Sequence, residues 1–353
     1  MKSKSSQESI LLDEQAIGSL LGNPSDTVRS LALSVLVTSF SSIRPFTSTV
    51  LQLFKFHLGY FHSDTDAKFR NEVISNTKHL IERLRGATAL LVRELEQASF
   101  KLTQLSMTDE KDERKSHDSI ASLLLTHQQF IEWYAEFLLD ELVPTASYQR
   151  HITALRAIQL LLNSHISKES FKRGASMPAS STVWPFTIEL FDARSVRLLL
   201  DLLMDPFEDV RTGAMEILTL CPPENFTECS SSKSDSNAQE RHDEASNGAS
   251  PGFERPESQS GLVASMKRDA LPLLTDFIAR ASKASMKSGR ADYADGVARA
   301  YKLLHSLQPS IDHRMKLIEG LVTDLEDKVV AAEQDLAQAV VNFPVHGNFA
   351  ALR

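Results

Sequence analysis

The side chains of this sequence that could do chemistry are eleven histidines and a few closely spaced carboxylates. His57 and His62 lie five residues apart where a helix is expected to pass into a loop, so we do not expect them to share a face. No histidine stands in an H-E-x-x-H or His/Cys pattern able to hold zinc. We expect these histidines to be surface or hydrogen-bonded residues. Asp64 and Asp66 fall in a polar turn, where helix capping explains a carboxylate pair better than acid–base catalysis. We therefore predict no metal site and no catalytic residue.

The glycines and cysteines give no sign of a cofactor pocket or a disulfide framework. The 13 glycines are scattered, and no G-x-G-x-x-G, G-x-x-x-x-G-K-[ST] or G-x-S-x-G motif occurs. Cys221 and Cys229 are the only two cysteines, which indicates the reducing cytosol or nucleus. No apolar run approaches the roughly 18 residues that span a bilayer. We predict a cytoplasmic protein that is not an enzyme, with no cofactor and no membrane contact.

Basic residues form two local clusters in a chain whose formal net charge is −8. Residues 68–93 hold six basic against two acidic residues, and residues 263–302 hold eight against four, so each cluster is +4. A protein that coats nucleic acid by charge alone is usually basic, so that mechanism is not expected here. Each cluster is either a solvated helix face or a local contact surface.

Two segments that begin at Asn23 and Asp205 repeat one pattern. Its shared positions are Pro24, Val28, Arg29 and Ala32 in the first copy and Pro206, Val210, Arg211 and Ala214 in the second. Proline ends one helix, an acidic residue caps the next, and the small alanine lets neighbouring helices approach. We expect the arginine to bond to the loop of the adjacent repeat. The pattern is typical of a HEAT-type helical hairpin.

Helical periodicity predicts an apolar stripe after the first of these turns. Val28, Leu31, Ala32, Val35 and Leu36 recur at i, i+3, i+4, i+7 and i+8, so we expect all five on one buried face. Similar patterns predict helices at 46–60, 68–85, 120–142, 148–163, 196–204, 263–278, 296–307 and 312–342. A pair of consecutive helices of this size is too small to bury its own apolar face. The sequence therefore predicts an all-α, HEAT/armadillo-like α-solenoid of stacked helical hairpins.

Two Ser-rich insertions divide the predicted helices. The tract at 222–261 has neither periodicity nor enough apolar residues to fold, so we expect a disordered loop. The predicted organisation is N-terminal helical repeats at 1–166, a short linker at 167–183, a helical repeat at 184–221, the disordered loop at 222–261 and C-terminal helical repeats at 262–353. Apolar residues without a cap at 349–353 lead us to expect a truncated last repeat.

The last predicted helix has heptad-like apolar spacing. The positions are Ile318, Leu321, Leu325, Val329, Ala332, Leu336 and Ala339. This spacing could support a coiled coil. Because several of these positions are Ala or Val and few flanking ion pairs are present, we predict packing within the solenoid instead.

Several segments, taken in order, carry a family resemblance. They are PSDTVRSLALSVLVTS, KFRNEVISNTKHLIERLR, the Tyr148-Gln149-Arg150 segment with the Ala154-Leu155 helix, LLLDLLMDPFEDVRTGAMEIL, SGRADYADGVARAYKLL and VVNFPVHGNFAALR. Together they resemble the helical-repeat region of the thyroid-adenoma-associated (THADA) family. The resemblance spans nearly the whole chain outside the Ser-rich tract.

The resemblance implies a non-catalytic scaffold subunit. Members of the family partner a separate tRNA 2′-O-ribose methyltransferase, which supplies the S-adenosylmethionine site and modifies the anticodon loop, while the repeat protein holds and positions the tRNA. Contacts to the tRNA backbone would come from basic side chains at helix ends. The candidates are Lys78, Arg83, Arg85, Arg150, Arg156, Lys267, Arg268 and Arg290. A general HEAT-type protein-interaction scaffold with no RNA contact stays open as the alternative, and the placement of these residues separates the two.

Overall fold

The computed structural model describes residues 13–39, 41, 43–104, 110–164, 188, 190–226 and 271–342, and within these ranges it contains helices and no β-strand. The α-helices are α1 (Glu14–Leu21), α2 (Asp26–Val37), α3 (Ser48–His62), α4 (Ala67–Gln104), α5 (Glu110–Asp140), α6 (Tyr148–Asn163), α7 (Ala193–Asp201), α8 (Glu208–Leu218), α9 (Pro272–Ser288), α10 (Ala291–Ser306) and α11 (Ile311–Asn342). The predicted all-α class is confirmed. The predicted linker at 167–183 lies outside the described residues.

The first ten of these helices stack as five pairs in two layers. The first helices of the pairs, α1, α3, α5, α7 and α9, lie side by side in one layer, and their partners α2, α4, α6, α8 and α10 form the second layer. The two helices of a pair contact each other and the pairs before and after them. This nearest-neighbour arrangement is that of a helical-repeat solenoid, as the sequence predicted.

One continuous apolar core runs between the two layers. In α2 the core takes up Ala32, Leu33 and Leu36, but Leu31 is 62% exposed and Val35 is 45% exposed. The predicted stripe is therefore wrong for these two residues. Helix α2 carries two overlapping apolar faces, and packing against α1 and α4 selects the one that includes Leu33.

Several helices are longer than their periodicity predicts. Helix α4 continues to Gln104 instead of ending at 85, and α5 begins at Glu110 instead of 120. Helices α4 and α5 pack against each other, and the extension of α4 buries Ala87, Leu91 and Ala98. Despite their length, no helix in the described ranges is apolar enough to cross a membrane.

The boundaries around α9 and α10 also differ from those predicted. Helix α9 runs through the polar stretch at 282–288 and ends at Gly289, whose φ of 64° suits a helix terminus. Helix α10 then begins at Ala291 instead of 296. The predicted helix start at 263 lies outside the described residues.

The Ser-rich tract begins later than predicted. Pro223–Phe226 form a 3-10 turn, Phe226 is fully buried, and the Asn225 side chain donates a hydrogen bond to the carbonyl oxygen of Phe191. The prediction of disorder from residue 222 is therefore wrong for its first five residues, and 227–261 lie outside the described part. A single aromatic anchor at Phe226, packed under α7, is enough to extend the fold.

Helix α11 leaves the two-layer stack. It contacts α10 near its start, and most of its apolar residues face solvent, with Ile318 at 42%, Leu325 at 62% and Leu336 at 67% exposure. The predicted packing of this helix within the solenoid is therefore wrong for the described residues. No described helix lies against its apolar face.

Candidate nucleic-acid interface

Three helices of the second layer, α2, α4 and α8, each follow a turn that is closed by the same hydrogen bond. Asn23, Asp64 and Asp205 each accept a bond on Oδ1 from the backbone N–H two residues further on, at 2.9, 2.9 and 2.8 Å. Such Asx turns reverse the chain within a few residues. The middle copy is hidden in the sequence because Thr65 stands where the other two copies have proline.

An arginine six residues after each turn residue joins the turn to its surroundings. Arg29 Nη2 donates to Asp64 Oδ2 of the next pair at 2.7 Å, and Arg211 Nε donates to Asp295 Oδ2 of the next pair at 2.7 Å. Arg70 and Arg211 also donate to the carbonyl oxygen of their own turn residue, at 2.5 and 2.8 Å. Burial opposes ionisation of Asp64, but the Asp66 N–H and Arg29 hold the pKa of that carboxyl below its usual value.

Three of the predicted basic residues share the face between α4 and α6. Lys78 and Arg85 lie seven residues apart on α4, about two helical turns, and so on the same side of the helix. Arg156 on α6 donates from Nη1 to Asn71 Oδ1 on α4 at 2.7 Å. Arg85 Nη1 donates to the carbonyl oxygen of Ser164 after α6 at 2.9 Å. Two arginines therefore bridge the two helices, with Lys78 between them along α4.

This α4/α6 face carries a net positive charge, because three basic residues outnumber the one carboxylate, Glu82, that lies between Lys78 and Arg85 along α4. Lys78, Arg85 and Arg156 are all exposed, and in the described part of the chain no carboxylate lies within ion-pair distance of any of them. Each arginine uses one N–H of its guanidinium in the bonds above, which leaves further donors facing solvent. Exposed guanidinium groups of this kind suit phosphate oxygens.

Arg83 also lies on α4 but faces the loop between α2 and α3. Its guanidinium carbon lies 3.8 Å from the ring centroid of Phe46. Its N–H groups donate to the carbonyl oxygens of Leu36, Val37, Arg44 and Pro45 at 2.9–3.4 Å. Burial, with a smaller contribution from Arg44, lowers the pKa of Arg83 to about 10, so it stays charged at neutral pH. The structure gives Arg83 a role in holding this loop.

The remaining predicted basic residues do not join the α4/α6 face. Arg150 donates to Glu141 Oε1 from Nε and Nη2 at 3.0 and 2.5 Å, and Arg290 pairs with Asp292 beside its own helix start. Lys267 and Arg268 lie outside the described residues. The predicted set is therefore divided, with three members together and three bound elsewhere.

A groove of about 600 Å³ lies between α2 and α4. Its lining includes the carboxylates of Asp26, Asp66 and Glu72, with Lys68 and His79 as its basic members. Because carboxylates repel phosphate, this groove is a poorer nucleic-acid site than the α4/α6 face. It forms between helices of consecutive pairs, so no local sequence pattern indicates it.

A buried histidine departs from the expectation of hydrogen-bonded or surface histidines. His62 at the end of α3 is fully buried, and neither of its ring nitrogens has a hydrogen-bond partner. Burial, and then the charge of Arg150, lowers its pKa to about 3. That expectation is therefore wrong for His62. Among the described residues, no group of three His, Cys, Asp or Glu side chains is arranged to hold a metal ion.

Comparison with known proteins gives a family match and a distant relative. Residues 2–212 match the family model described as "Trm732, TPR repeats". The chain is 21% identical over 320 residues, 91% of its length, to the mouse (Mus musculus) protein named tRNA (32-2′-O)-methyltransferase regulator THADA. The chain spans only 15% of the length of that relative. No solved structure matches significantly. The residues matched by the family model include the α4/α6 face and all three Asx turns.

Proposed function

The chain belongs to the Trm732/THADA family of helical-repeat proteins, and on that premise we propose that it is a non-catalytic scaffold that binds and positions tRNA for a partner 2′-O-ribose methyltransferase. The name of the mouse relative describes a regulator of such an enzyme. That relative is much longer than this chain, so the role is proposed for this chain on the basis of its own surface.

The observation that carries the proposal is the exposed positive charge of the α4/α6 face. Several other arginines of the stack already have carboxylate partners, as Arg29 has Asp64 and Arg211 has Asp295. A phosphate would have to compete with those carboxylates. Lys78, Arg85 and Arg156 can bind phosphate without breaking an ion pair of the described residues, so binding there costs less.

The dimensions of the face suit a folded RNA. Lys78 and Arg85 are separated by about 10 Å along α4, at 1.5 Å per residue. Arg156 lies across the seam on α6, tied to Asn71. The three charges thus form a triangle that can contact more than one phosphate, and contacts of this kind fix orientation without reading sequence.

Positioning would be the mechanism of this scaffold. A two-layer stack with one core that holds the tRNA backbone keeps the target ribose in one orientation relative to the enzyme, which removes part of the entropic cost of bringing them together. The partner would supply the methyl-donor site and the reacting groups. We assign no catalytic residue to this chain.

The test is charge reversal on the face against charge reversal elsewhere. The first variant is Lys78→Glu, Arg85→Glu, Arg156→Glu, and the matched control is Lys283→Glu, Lys287→Glu, Lys316→Glu, three exposed residues of α9 and α11. Affinity for tRNA is measured by fluorescence anisotropy as salt is varied. We expect the face variant to bind at least about tenfold more weakly. The slope of log affinity against log salt should fall by about 2, at roughly 0.7 for each phosphate that is no longer bound.

Three further measurements make the result decisive. Thermal unfolding of both variants shows whether the fold survives, because Arg85 and Arg156 also bridge two helices. The variant Arg85→Gln, Arg156→Gln removes charge with a milder structural change. Methyl transfer to tRNA by the reconstituted complex should fall with the face variant alone. Equal loss of affinity in both charge-reversal variants would reject the face as a specific site.

The alternative function, a protein-interaction scaffold without RNA contact, is favoured by a different surface. On α3, Phe56 is 66% exposed and Tyr60, one turn later, is 65% exposed. Lys55 of the same helix lies over the ring of Trp133 on the neighbouring helix α5. Exposed aromatic residues are typical of protein–protein contacts. If the chain shows no tRNA affinity at low salt, and Phe56→Ala, Tyr60→Ala weakens binding of the methyltransferase, the alternative is the correct function.

A further inference from the structure

Helix α11 carries a continuous exposed apolar stripe. Its members are Ile311, Met315, Ile318, Val322, Leu325, Val329, Ala332 and Leu336. All eight are exposed, and the seven larger side chains are 42–74% exposed. They follow one another in alternating steps of four and three residues along the whole set. We call these eight residues the α11 stripe.

The period of the α11 stripe indicates what kind of partner would cover it. An average repeat of 3.5 residues keeps an apolar seam facing a second helix that supercoils around the first. The first and last residues of the stripe are 25 positions apart, which is about 38 Å along the helix at 1.5 Å per residue. Isolated exposed apolar residues are ordinary on a protein surface, whereas a stripe of this length typically marks an interaction site. The complementary partner is therefore a helix.

The charges beside the stripe select the chemistry of that helix. Asp312, Glu319, Glu326 and Glu333 each follow one stripe residue at intervals of seven, so they form an acidic edge along one side. All four are exposed, and in the described part of the chain none pairs with a basic side chain. Over the whole of α11 the sequence holds seven acidic and three basic residues.

This charge disfavours a second copy of the chain as the partner. Two copies of α11 would bring together two helices that are each −4, from three basic and seven acidic residues. In an antiparallel pair the acidic edges would also lie against each other. In a parallel pair, Arg314 and Lys328 on the opposite edge would lie against Glu319 and Glu333, and light scattering tests for that dimer. A helix with Lys or Arg along its matching edge gives attraction in place of this repulsion.

We propose that the α11 stripe is a docking site for a basic amphipathic helix of a partner protein. Apolar side chains of that helix would interlock with the stripe, and its Lys or Arg residues would lie along the acidic edge and set orientation. The site is independent of the proposed tRNA function, because it uses none of the residues of the α4/α6 face.

The probe for this proposal is a synthetic helical peptide of about four heptads, with Ile and Leu at the seam positions and Lys at the edge positions. Its control is the same peptide with Glu in place of Lys. Binding of each labelled peptide to the full chain is measured by fluorescence anisotropy. We expect the Lys peptide to bind at least about tenfold more tightly than the Glu peptide, and added salt to reduce that difference.

Matched protein variants locate the binding. Val322→Asp, Leu325→Asp alters the stripe at residues that are 49% and 62% exposed, and Leu31→Asp, Val35→Asp alters an apolar pair on α2 that is 62% and 45% exposed. We expect the first variant to bind the Lys peptide at least about tenfold more weakly and the second to retain its affinity. Glu319→Lys, Glu326→Lys should shift the preference toward the Glu peptide. Binding of tRNA should be unchanged in the stripe variant.

Four results would overturn the proposal. They are an absence of binding to the Lys peptide, equal binding of the two peptides, equal binding by the stripe variant and the wild-type chain, and a wild-type dimer in light scattering that the stripe variant converts to a monomer. The last result would assign the stripe to a second copy of the chain.

Discussion

The ring of His62 and the carboxylate of Glu141 face each other inside the core, with Nδ1 and Oε2 separated by 3.8 Å. His62 is 0% exposed and Glu141 is 1% exposed. The other carboxylate oxygen of Glu141 accepts a hydrogen bond from Arg150 at 2.5 Å. Glu141 is thus neutralised by Arg150, and the imidazole beside it is buried uncharged. A group kept neutral in this way makes stability depend on pH.

Replacing His62 with Phe should reduce the loss of stability in acid. The pKa of His62 is about 3 in the folded chain against an ordinary value of 6.5, so between these values the unfolded chain binds the proton more readily. The contribution of neutral His62 to the free energy of unfolding is fully present above about pH 6.5 and is lost as pH falls toward 3. At 1.36 kcal/mol per pKa unit, this contribution is up to about 5 kcal/mol. Urea unfolding at pH 7, 6, 5 and 4 measures the difference between the two proteins.

The control for this prediction is His79→Phe at an exposed site on α4. We expect His79→Phe to follow the pH dependence of the wild-type chain, while His62→Phe gains on the wild-type chain as pH falls. Unfolding free energies of His62→Phe and the wild type that stay parallel from pH 7 to pH 4 would show that His62 does not remain neutral in the core.

Replacing Arg83 with Ala should destabilise the chain by about 3 kcal/mol. The change removes a charged donor and leaves four carbonyl oxygens around the α2–α3 loop without it, and a bond to a charged group contributes about 1.5–3 kcal/mol. Arg93→Ala on the exposed side of α4 should change stability by less than about 0.5 kcal/mol. Urea unfolding compares the two variants, and similar values for both would contradict the role assigned to Arg83.

A double-mutant cycle on Arg211 and Asp295 should show coupling between adjacent pairs of the stack. Arg211 is only 9% exposed at its side chain and donates to Asp295 at 2.7 Å, so we expect a coupling of about 1–2 kcal/mol. The comparison is Arg194 with Asp140, which are 49% and 60% exposed and 2.8 Å apart. There we expect less than about 0.5 kcal/mol. Equal coupling at both sites would mean that burial does not strengthen the bond between Arg211 and Asp295.

Gly296→Ala and Gly59→Ala should have opposite effects although both glycines lie in helices. A Cβ at Gly296 would lie 2.1 Å from the carbonyl oxygen of Leu203, a backbone atom that cannot rotate away, and we expect a loss of about 2–3 kcal/mol. A Cβ at Gly59 meets nothing closer than 3.8 Å, so alanine there should stabilise the chain by about 0.5–1 kcal/mol. Thermal unfolding distinguishes them, and a neutral Gly296→Ala would show that α10 can shift away from Leu203.

The elements that local chemistry specifies were predictable from the sequence. Helix α6 has the predicted bounds of 148–163, because its apolar period and its flanking serines are local signals. The turns at Pro24 and Pro206 follow from proline and Asx chemistry. The heptad spacing of α11 was also visible in the sequence, but whether any helix covers it was not. The segments that resemble the THADA family likewise indicated the family that the comparisons support.

What the sequence by itself determined is therefore the helical-repeat class, most of the helices and the two proline-containing turns. Tertiary structure alone decided which face of α2 is buried, that Arg83 holds a loop while Arg85 and Arg156 share an exposed face, and that His62 lies against Glu141. The physical reason is the range of the forces involved. Caps, turns and periodicity act within a few residues, whereas burial and charge depend on side chains from helices far apart in the chain.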